Sequence, residues 1–186
     1  MLPAPFIVVL DANVLFPLTV RDTLLRAAAA DFYQLRWSRE ILDETERSLC
    51  ATGTMSAAKA ARLRAVMEEH FPEALATDYE PLIGVMQNEV KDGHVVAAAV
   101  KAGAQVIVTG NLKHFRPLPD GIEAQSCDVF LCNRFDLDPD VFIELLREQA
   151  ADLRKPPVSF EGLLDRLARV VPDFVAGVRE HITVPV

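Results

Sequence analysis

The chain has 186 residues, of which 51% are hydrophobic and 25% charged, and its formal net charge is −8. This length and balance predict a soluble globular domain with a real core and room for one appended element. No apolar run approaches the roughly 20 residues that cross a bilayer, and the first one lacks the basic leader of a signal peptide. The acidic total also excludes a protein that binds nucleic acid through overall positive charge.

The cysteine content indicates the compartment. Cys50, Cys127 and Cys132 are an odd number and form no Cys-x-x-Cys pair. This excludes a disulfide framework and a zinc site of that type. A reducing, cytoplasmic setting is therefore expected.

The first two thirds of the chain alternate between strand and helix patterns. Residues 6–10, FIVVL, form a continuous apolar run typical of a central parallel strand. The predicted elements that follow are a helix over 20–31, a strand over 32–37, helices over 38–49 and 56–69, a helix from 92 to 103, and strands over 105–109 and 122–125. This alternation predicts a three-layer α/β/α sandwich around a central parallel sheet.

The pattern changes near Asp136 and becomes purely helical from Pro139. Helices are predicted over residues 141–153, 160–170 and 172–181. We therefore predict an α/β domain over residues 1–135 and a C-terminal helical extension over residues 136–186.

Two acids stand at positions where a parallel sheet binds ligands. Asp11 directly follows the first strand, so it is expected in the crevice beyond the carboxyl ends of the strands; the alternative is a turn-forming cap. Asp92 lies on the face of its helix that carries the apolar residues, whereas His94 and Lys101 are predicted to point the other way. Its alternative is an N-cap that only accepts backbone N–H bonds.

A third acid is expected on the helix over residues 38–49, but the spacing does not choose it. Ile41, Thr45 and Leu49 form the inward stripe, and Glu44 and Glu46 flank that stripe on opposite sides. Helix periodicity alone leaves these candidates open.

Four segments, taken in order, resemble the four motifs of PIN domains. They are residues 10–15 (LDANVL), 37–44 (WSREILDE), 91–99 (KDGHVVAAA) and 106–115 (VIVTGNLKHF). The acids of the first three motifs map to Asp11, Glu44 and Asp92. The fourth motif carries Asn111 where many relatives have an aspartate, and His114 stands where several have an acid.

The resemblance implies a VapC-type endoribonuclease, the toxin of a bacterial type II toxin–antitoxin pair. It implies that Asp11, Glu44 and Asp92 hold Mg²⁺ or Mn²⁺, with Asn111 as a fourth catalytic residue. RNA is the implied substrate, and the implied partner is a cognate antitoxin protein. The protein is also expected to form a homodimer and not to associate with a membrane. Because an amide oxygen can ligate a hard cation without adding charge, Asn111 leaves the number of metal ions open.

The physical chemistry of three converging carboxylates is consistent with a bound metal ion. Two carboxylates about 4 Å apart repel by roughly 4 kcal/mol at an effective dielectric constant near 20, so three ionised together require a cation. A divalent ion lowers the pKa of a coordinated water, and attack by water on phosphorus predicts a 5′-phosphate and a 3′-hydroxyl product.

The weaker candidates lie beside the motifs. We predict that Asn13, Thr109, Lys113 and His114 bind substrate, with Lys91 and Arg116 completing a basic rim. The alternative for each is an ordinary surface or turn residue.

Three rival functions share parts of this pattern. A haloacid-dehalogenase-like phosphotransferase requires a second acid two residues after Asp11, where this chain has Asn13. A receiver domain usually has an acidic pair near its N-terminus and a later lysine, and it also fits poorly. The strongest alternative is a catalytically inactive PIN fold that binds RNA or protein. The negative net charge and the amide at Asn111 favour this alternative.

Overall fold

A computed structural model describes residues 6–183, except for the side chain of Val90. The chain divides into two compact units, Met1–Phe16 with Tyr33–Gln125 and Pro17–Phe32 with Ser126–Val186. We call the first the sheet unit and the second the helical unit. The domains expected over residues 1–135 and 136–186 stay a prediction.

Five strands form the parallel sheet of the sheet unit. They are β1 (Ile7–Leu10), β2 (Gln34–Ser38), β3 (Leu75–Ala76), β4 (Val106–Val108) and β5 (Glu123–Gln125), in the order β3-β2-β1-β4-β5. Neighbouring strands are parallel, and Val9 of β1 pairs with Arg36 on one side and Ile107 on the other. The predicted α/β class with a central parallel sheet is confirmed; β3, only two residues long, was not predicted.

The helices are α1 (Ala12–Leu15), α2 (Leu18–Ala29), α3 (Arg39–Ala51), α4 (Ala57–His70), α5 (Glu80–Ile83), α6 (Val90–Ala102), α7 (Cys127–Phe135), α8 (Pro139–Asp152), α9 (Phe160–Leu167) and α10 (Pro172–Thr183). No helix among residues 6–183 is both long and apolar enough to cross a membrane.

Side-chain caps set several of the helix boundaries that the sequence predicted. The Ser38 hydroxyl accepts a hydrogen bond from the backbone N–H of Ile41 and begins α3. Gly103 ends α6 with a φ of 66°, a left-handed conformation that glycine adopts without a steric penalty. The predicted helix start near residue 38 and the predicted helix end at residue 103 are therefore confirmed.

The order of the strands determines where a ligand can bind. From β1 the chain proceeds outward to β2 and β3 and then returns to β4 on the opposite side of β1. The connections after β1 and β4 therefore diverge at a topological switch point, which opens a crevice at the carboxyl ends of these two strands. Val8, Val9 and Leu10 are fully buried although their side chains alternate, so both faces of β1 are covered.

The helical unit has its own aromatic core. The ring of Phe142 packs edge-on against those of Phe32, Phe135 and Phe174, with centroids 4.9, 6.1 and 5.5 Å away. The carboxylate of Asp128 accepts hydrogen bonds from the backbone N–H groups of Asp173 and Phe174, which satisfies the first turn of α10. A helical C-terminal region is thus confirmed.

Two features of this unit were not predicted. Residues 127–135 form α7, so the helical region begins well before Pro139. Helix α2 belongs to the helical unit rather than to the sheet unit, although in the chain it comes directly after β1 and α1 of the sheet unit. Its position in the sequence suggested that α2 belongs to the α/β domain. Membership in a core depends on tertiary contacts, which the position in the chain does not reveal.

Candidate active site

A cleft of about 650 Å³ in the sheet unit collects the predicted acids. Asp11, Glu44 and Asp92 line it together with Asn111. They come from the end of β1, the middle of α3, the first turn of α6 and the loop after β4. These four residues lie far apart in the sequence, and the parallel topology brings them to one end of the sheet.

Asp11 is held by three hydrogen bonds. Its Oδ1 accepts one from the backbone N–H of Ala12 at 2.7 Å, and its Oδ2 accepts from Asn13 Nδ2 at 2.6 Å and Thr109 Oγ1 at 2.7 Å. Both interpretations of Asp11 therefore hold, since it caps α1 and also lines the cleft. Oδ2 has both of its acceptor positions filled, which leaves one on Oδ1.

Thr109 is fully buried behind Asp11. Its hydroxyl donates to Asp11 and accepts from Asn13 Nδ2 and from the backbone N–H of Asn111, each at 3.1 Å. The Asn13 Oδ1 in turn accepts from the backbone N–H of Gly110 at 2.7 Å. These bonds join Asp11 and the start of α1 to the loop after β4, so Thr109 positions Asp11 and Asn111.

The carboxylates of the cleft repel one another. Burial raises the pKa of Asp11; the hydrogen bonds from Thr109 and Ala12 lower it, and the charge of Asp92 raises it again. Burial also raises the pKa of Glu44, which His94 lowers and the charge of Asp11 raises. Burial and mutual repulsion thus disfavour the ionised forms of the carboxyl groups in this site.

The structure separates Glu44 from the other acids of α3. Glu44 lines the cleft, whereas Asp43 and Glu46 form ion pairs with Arg64 of α4. Packing of α3 against α4 makes this distinction, which the spacing of the acids could not.

His94 is a residue of the site that the sequence pattern did not predict. Its side chain is only 3% exposed, with Nε2 lying 3.3 Å from Glu44 Oε1 and Nδ1 lying 3.6 Å from Glu40 Oε2. The prediction that His94 points away from the core is wrong. Residues 93–99 of α6 are all buried, so this helix has no single inward face and its periodicity misleads.

Asp92 is the third residue of α6, so the prediction that it opens the helix is wrong by two residues. The N-cap position belongs to Glu89. The Asp92 side chain is 14% exposed, and its Oδ2 lies 3.1 Å from Nδ1 of His114. Its carboxylate thus reaches both the cleft and the turn after β4.

The remaining predicted residues divide into two groups. Asn13 and Lys91 line the cleft, whereas Lys113 is exposed on the turn over residues 112–114. Arg47 also lines the cleft and was not predicted. The available signal was its spacing, because Arg47 lies three residues after Glu44 and so shares its face of α3.

Comparison with known proteins identifies relatives for both parts of the chain. Residues 7–113 match the profile of the PIN domain, and residues 127–180 match that of the VapC50 C-terminal domain. A Mycobacterium tuberculosis protein named "Putative ribonuclease VapC50" is 40% identical over 109 residues, which cover 57% of this chain and 64% of that protein. The match thus spans less than two thirds of that relative's length. No solved structure gives a match.

The PIN-domain match covers more than half of the chain and includes Asp11, Glu44, Asp92 and Asn111. It confirms the resemblance drawn from the four motifs. The chain therefore belongs to the PIN-domain family.

Proposed function

We propose that this protein is a metal-dependent endoribonuclease and the toxin of a type II toxin–antitoxin pair. The observation that carries the proposal is the convergence of Asp11, Glu44, Asp92 and Asn111 on one cleft at the carboxyl ends of β1 and β4. The relative from M. tuberculosis supports the activity, because its name describes a ribonuclease.

The donor chemistry of the cleft fits a hard divalent cation. Asp11, Glu44 and Asp92 offer carboxylate oxygens and Asn111 an amide oxygen, the ligands that Mg²⁺ and Mn²⁺ take. Burial disfavours ionised Asp11 and Glu44, and a cation would offset that cost. When bound, the ion supplies positive charge against the phosphate and activates water.

The residues of the chain supply binding and orientation. Thr109 and Asn13 hold the carboxylate of Asp11 in place, and Asn111 lines the same cleft. Lys91 and Arg47 place positive charge in the same cleft, which gives a phosphate backbone a local contact despite the overall charge of −8. Hydrolysis by water predicts a 5′-phosphate and a 3′-hydroxyl on the products.

The activity is tested by incubating metal-stripped protein with a mixed RNA pool, with and without Mn²⁺ or Mg²⁺. Glu44→Gln is compared with Glu46→Gln, since both residues lie on α3 but only Glu44 lines the cleft. We expect metal-dependent cleavage by the wild type and by Glu46→Gln and none by Glu44→Gln. Equal cleavage by the two variants would contradict the proposed site.

The alternative function gives a different result in the same experiment. An inactive PIN fold that binds RNA or protein would shift RNA in a gel, or bind none, without cutting it under any metal condition. Cleavage lost on mutation of Glu44 excludes it.

The toxin role is tested in cells. Induced expression of the wild type is expected to arrest growth, and Glu44→Gln is not. Co-expression of the protein encoded next to this chain should restore growth if that protein is the antitoxin. Growth arrest that persists in Glu44→Gln would contradict a toxin acting through RNA cleavage.

Cytoplasmic location and a homodimer are also part of the proposal. Cys50, Cys127 and Cys132 are free thiols, and burial raises the pKa of Cys127 to about 12, which suits a small apolar core residue. Fractionation of expressing cells tests the first point. Light scattering on the purified protein tests the second, where a mass of one chain would contradict the dimer.

A further inference from the structure

A second group of metal-ligating side chains adjoins the cleft. Glu89, Asp92 and His114 each offer one ligand atom, and these atoms all lie within 4.8 Å of one another. Ligands of one octahedral ion lie about 3.0 to 4.2 Å apart when the bonds are about 2.1 Å. Small side-chain rotations would therefore bring the three donors around one ion. The group joins the start of α6 to the turn after β4.

The backbone positions of this group are held before any ion binds. The Asn88 amide donates hydrogen bonds to the backbone carbonyls of His114, at 3.0 Å, and Pro117, at 3.1 Å. Asn88 directly precedes Glu89, so its side chain ties the turn carrying His114 to the segment that begins α6. The imidazole of His114 then lies 3.1 Å from the Asp92 carboxylate.

The third donor is accessible to an incoming ion. The side chain of Glu89 is 63% exposed and lies 3.4 Å from Nζ of Lys91, which is 62% exposed. An ion pair this exposed is weak because water and salt screen it. The Glu89 carboxylate can therefore leave Lys91 and join Asp92 and His114 at little cost.

The chemical character of the donors distinguishes this group from the three acids of the cleft. Imidazole nitrogen is a ligand for first-row transition ions, whereas Mg²⁺ takes oxygen ligands almost exclusively. An aspartate at position 114 would make the set all oxygen. His114 instead makes it a mixed nitrogen and oxygen set.

We propose that Glu89, Asp92 and His114 form a site for a divalent first-row transition ion such as Mn²⁺, and that His114 makes this site select such an ion over Mg²⁺. The proposal rests on the proposed nuclease, because Asp92 also lines the catalytic cleft. The proposal predicts that Mn²⁺ supports RNA cleavage better than Mg²⁺ does, and that this difference is larger than for a site made only of carboxylates.

The test is metal binding to the full chain, stripped of metal, with Mn²⁺ as the probe and Mg²⁺ as the competitor. Wild type, His114→Asp, Glu89→Gln and the surface control His70→Asp are compared. Electron paramagnetic resonance reports the free Mn²⁺, and its pulsed form detects ¹⁴N coupling from a coordinated imidazole. We expect the wild type to bind Mn²⁺ at least about tenfold more tightly than Mg²⁺ and to show the coupling.

The variants identify the ligands. His114→Asp should lose the coupling and reduce the preference for Mn²⁺ several-fold while still binding Mg²⁺, and Glu89→Gln should weaken Mn²⁺ binding with the coupling retained. His70→Asp should resemble the wild type, because His70 lies at the end of α4. His94→Gln, which removes the buried imidazole beside Glu44, should keep the coupling.

The result is separable from the outcome for the proposed function. No ¹⁴N coupling in the wild type, or a preference unchanged in His114→Asp, overturns this site even if RNA is cut. Coupling that depends on His114 supports the site even if the protein cuts no RNA, in which case the nuclease proposal alone fails. Coupling lost in His94→Gln and kept in His114→Asp would assign the nitrogen to His94 and overturn the proposal.

Discussion

The two halves of the site differ in how they are held. The strand-end half, formed by Asp11, Asn13 and Thr109, lies on the connections after β1 and β4 and includes two buried side chains. The helix-start half, formed by Glu89, Asp92 and His114, includes an exposed carboxylate and a partly exposed imidazole. In the first half the hydrogen bonds of Asp11 are formed in advance, whereas in the second the donors must still move towards one another.

Because the two halves are held differently, they should differ in how well they tolerate substitution. Parallel strand ends are fixed by the sheet ladder, so a changed side chain in the strand-end half leaves a buried group without a partner. A turn at the surface tolerates a new side chain, and so the metal preference proposed for the helix-start half could change without loss of the fold. We expect substitutions to have larger effects in the strand-end half.

The largest effect is expected for Asp11→Asn. The substitution removes the charge of a buried carboxylate and places an amide donor among groups that already donate. We expect RNA cleavage to fall by roughly a hundredfold or more, in line with the loss of an essential charged group at a reacting site. Single-turnover cleavage measures this effect, and circular dichroism controls for folding. Cleavage within a few fold of the wild type would remove Asp11 from the mechanism.

A smaller loss is expected for Thr109→Val. The methyl group keeps the volume but neither donates to Asp11 nor accepts from Asn13 and Asn111. Removal of a group that orients a ligand typically costs about tenfold to a hundredfold in metal affinity or activity. Thr109→Ser retains the hydroxyl and should recover most of the Mn²⁺ affinity measured by calorimetry. If serine fails where valine fails, the role of Thr109 is packing.

His94 of α6 lies beside Glu44 of α3, and its replacement should affect Glu44. The imidazole lowers the pKa of Glu44, so His94→Gln should raise that pKa and weaken metal binding by roughly tenfold. Glu40→Gln is the matched control, because Glu40 faces the other nitrogen of His94 and its position does not line the cleft. Metal titration at two pH values compares them. An equal loss in both variants would point to a general packing defect.

The stability of the metal-free protein should depend on pH with a definite sign. The pKa values of Asp11 and Glu44 are raised above 3.8 and 4.5, so the folded chain holds these protons more tightly than the unfolded chain. Their contribution is fully present below those ordinary values and is lost as the pH rises through the raised values. Urea unfolding with a chelator, from pH 4 to 8, measures this, and Asp11→Asn should flatten the decline. A decline as steep in Asp11→Asn as in the wild type would contradict the assignment to Asp11.

The smallest effects are expected at the basic residues. Lys91 lines the cleft and Lys113 does not, so Lys91→Ala should weaken RNA binding several-fold more than Lys113→Ala. Removing a side chain that binds one phosphate should reduce the salt dependence of binding by about one unit of slope. Both variants also carry Glu44→Gln, so that the RNA is not cleaved while its binding is measured. Equal effects would place RNA outside the cleft as well.

Much of the fold was open to prediction, and the reasons lie in particular residues. The apolar run ending at Leu10, the cap at Ser38 and the stop at Gly103 are local signals that depend on a few neighbouring residues. Strand β3 was missed because a two-residue strand carries no periodicity, and helix α7 was missed as well. The early start of α6 was missed because Asp92 looked like its cap.

The α/β class and the place of Asp11 after the first strand could be predicted from the sequence, since strand runs and their order along the chain are local signals. Asp92 was assigned through the resemblance of the four motifs to PIN domains. Three features became evident only from the folded chain: Glu44 faces the cleft while Asp43 and Glu46 pair with Arg64, His94 is buried beside Glu44, and His114 reaches Asp92. The physical reason is that these outcomes depend on which helices and turns pack together, and such packing joins residues far apart in the chain.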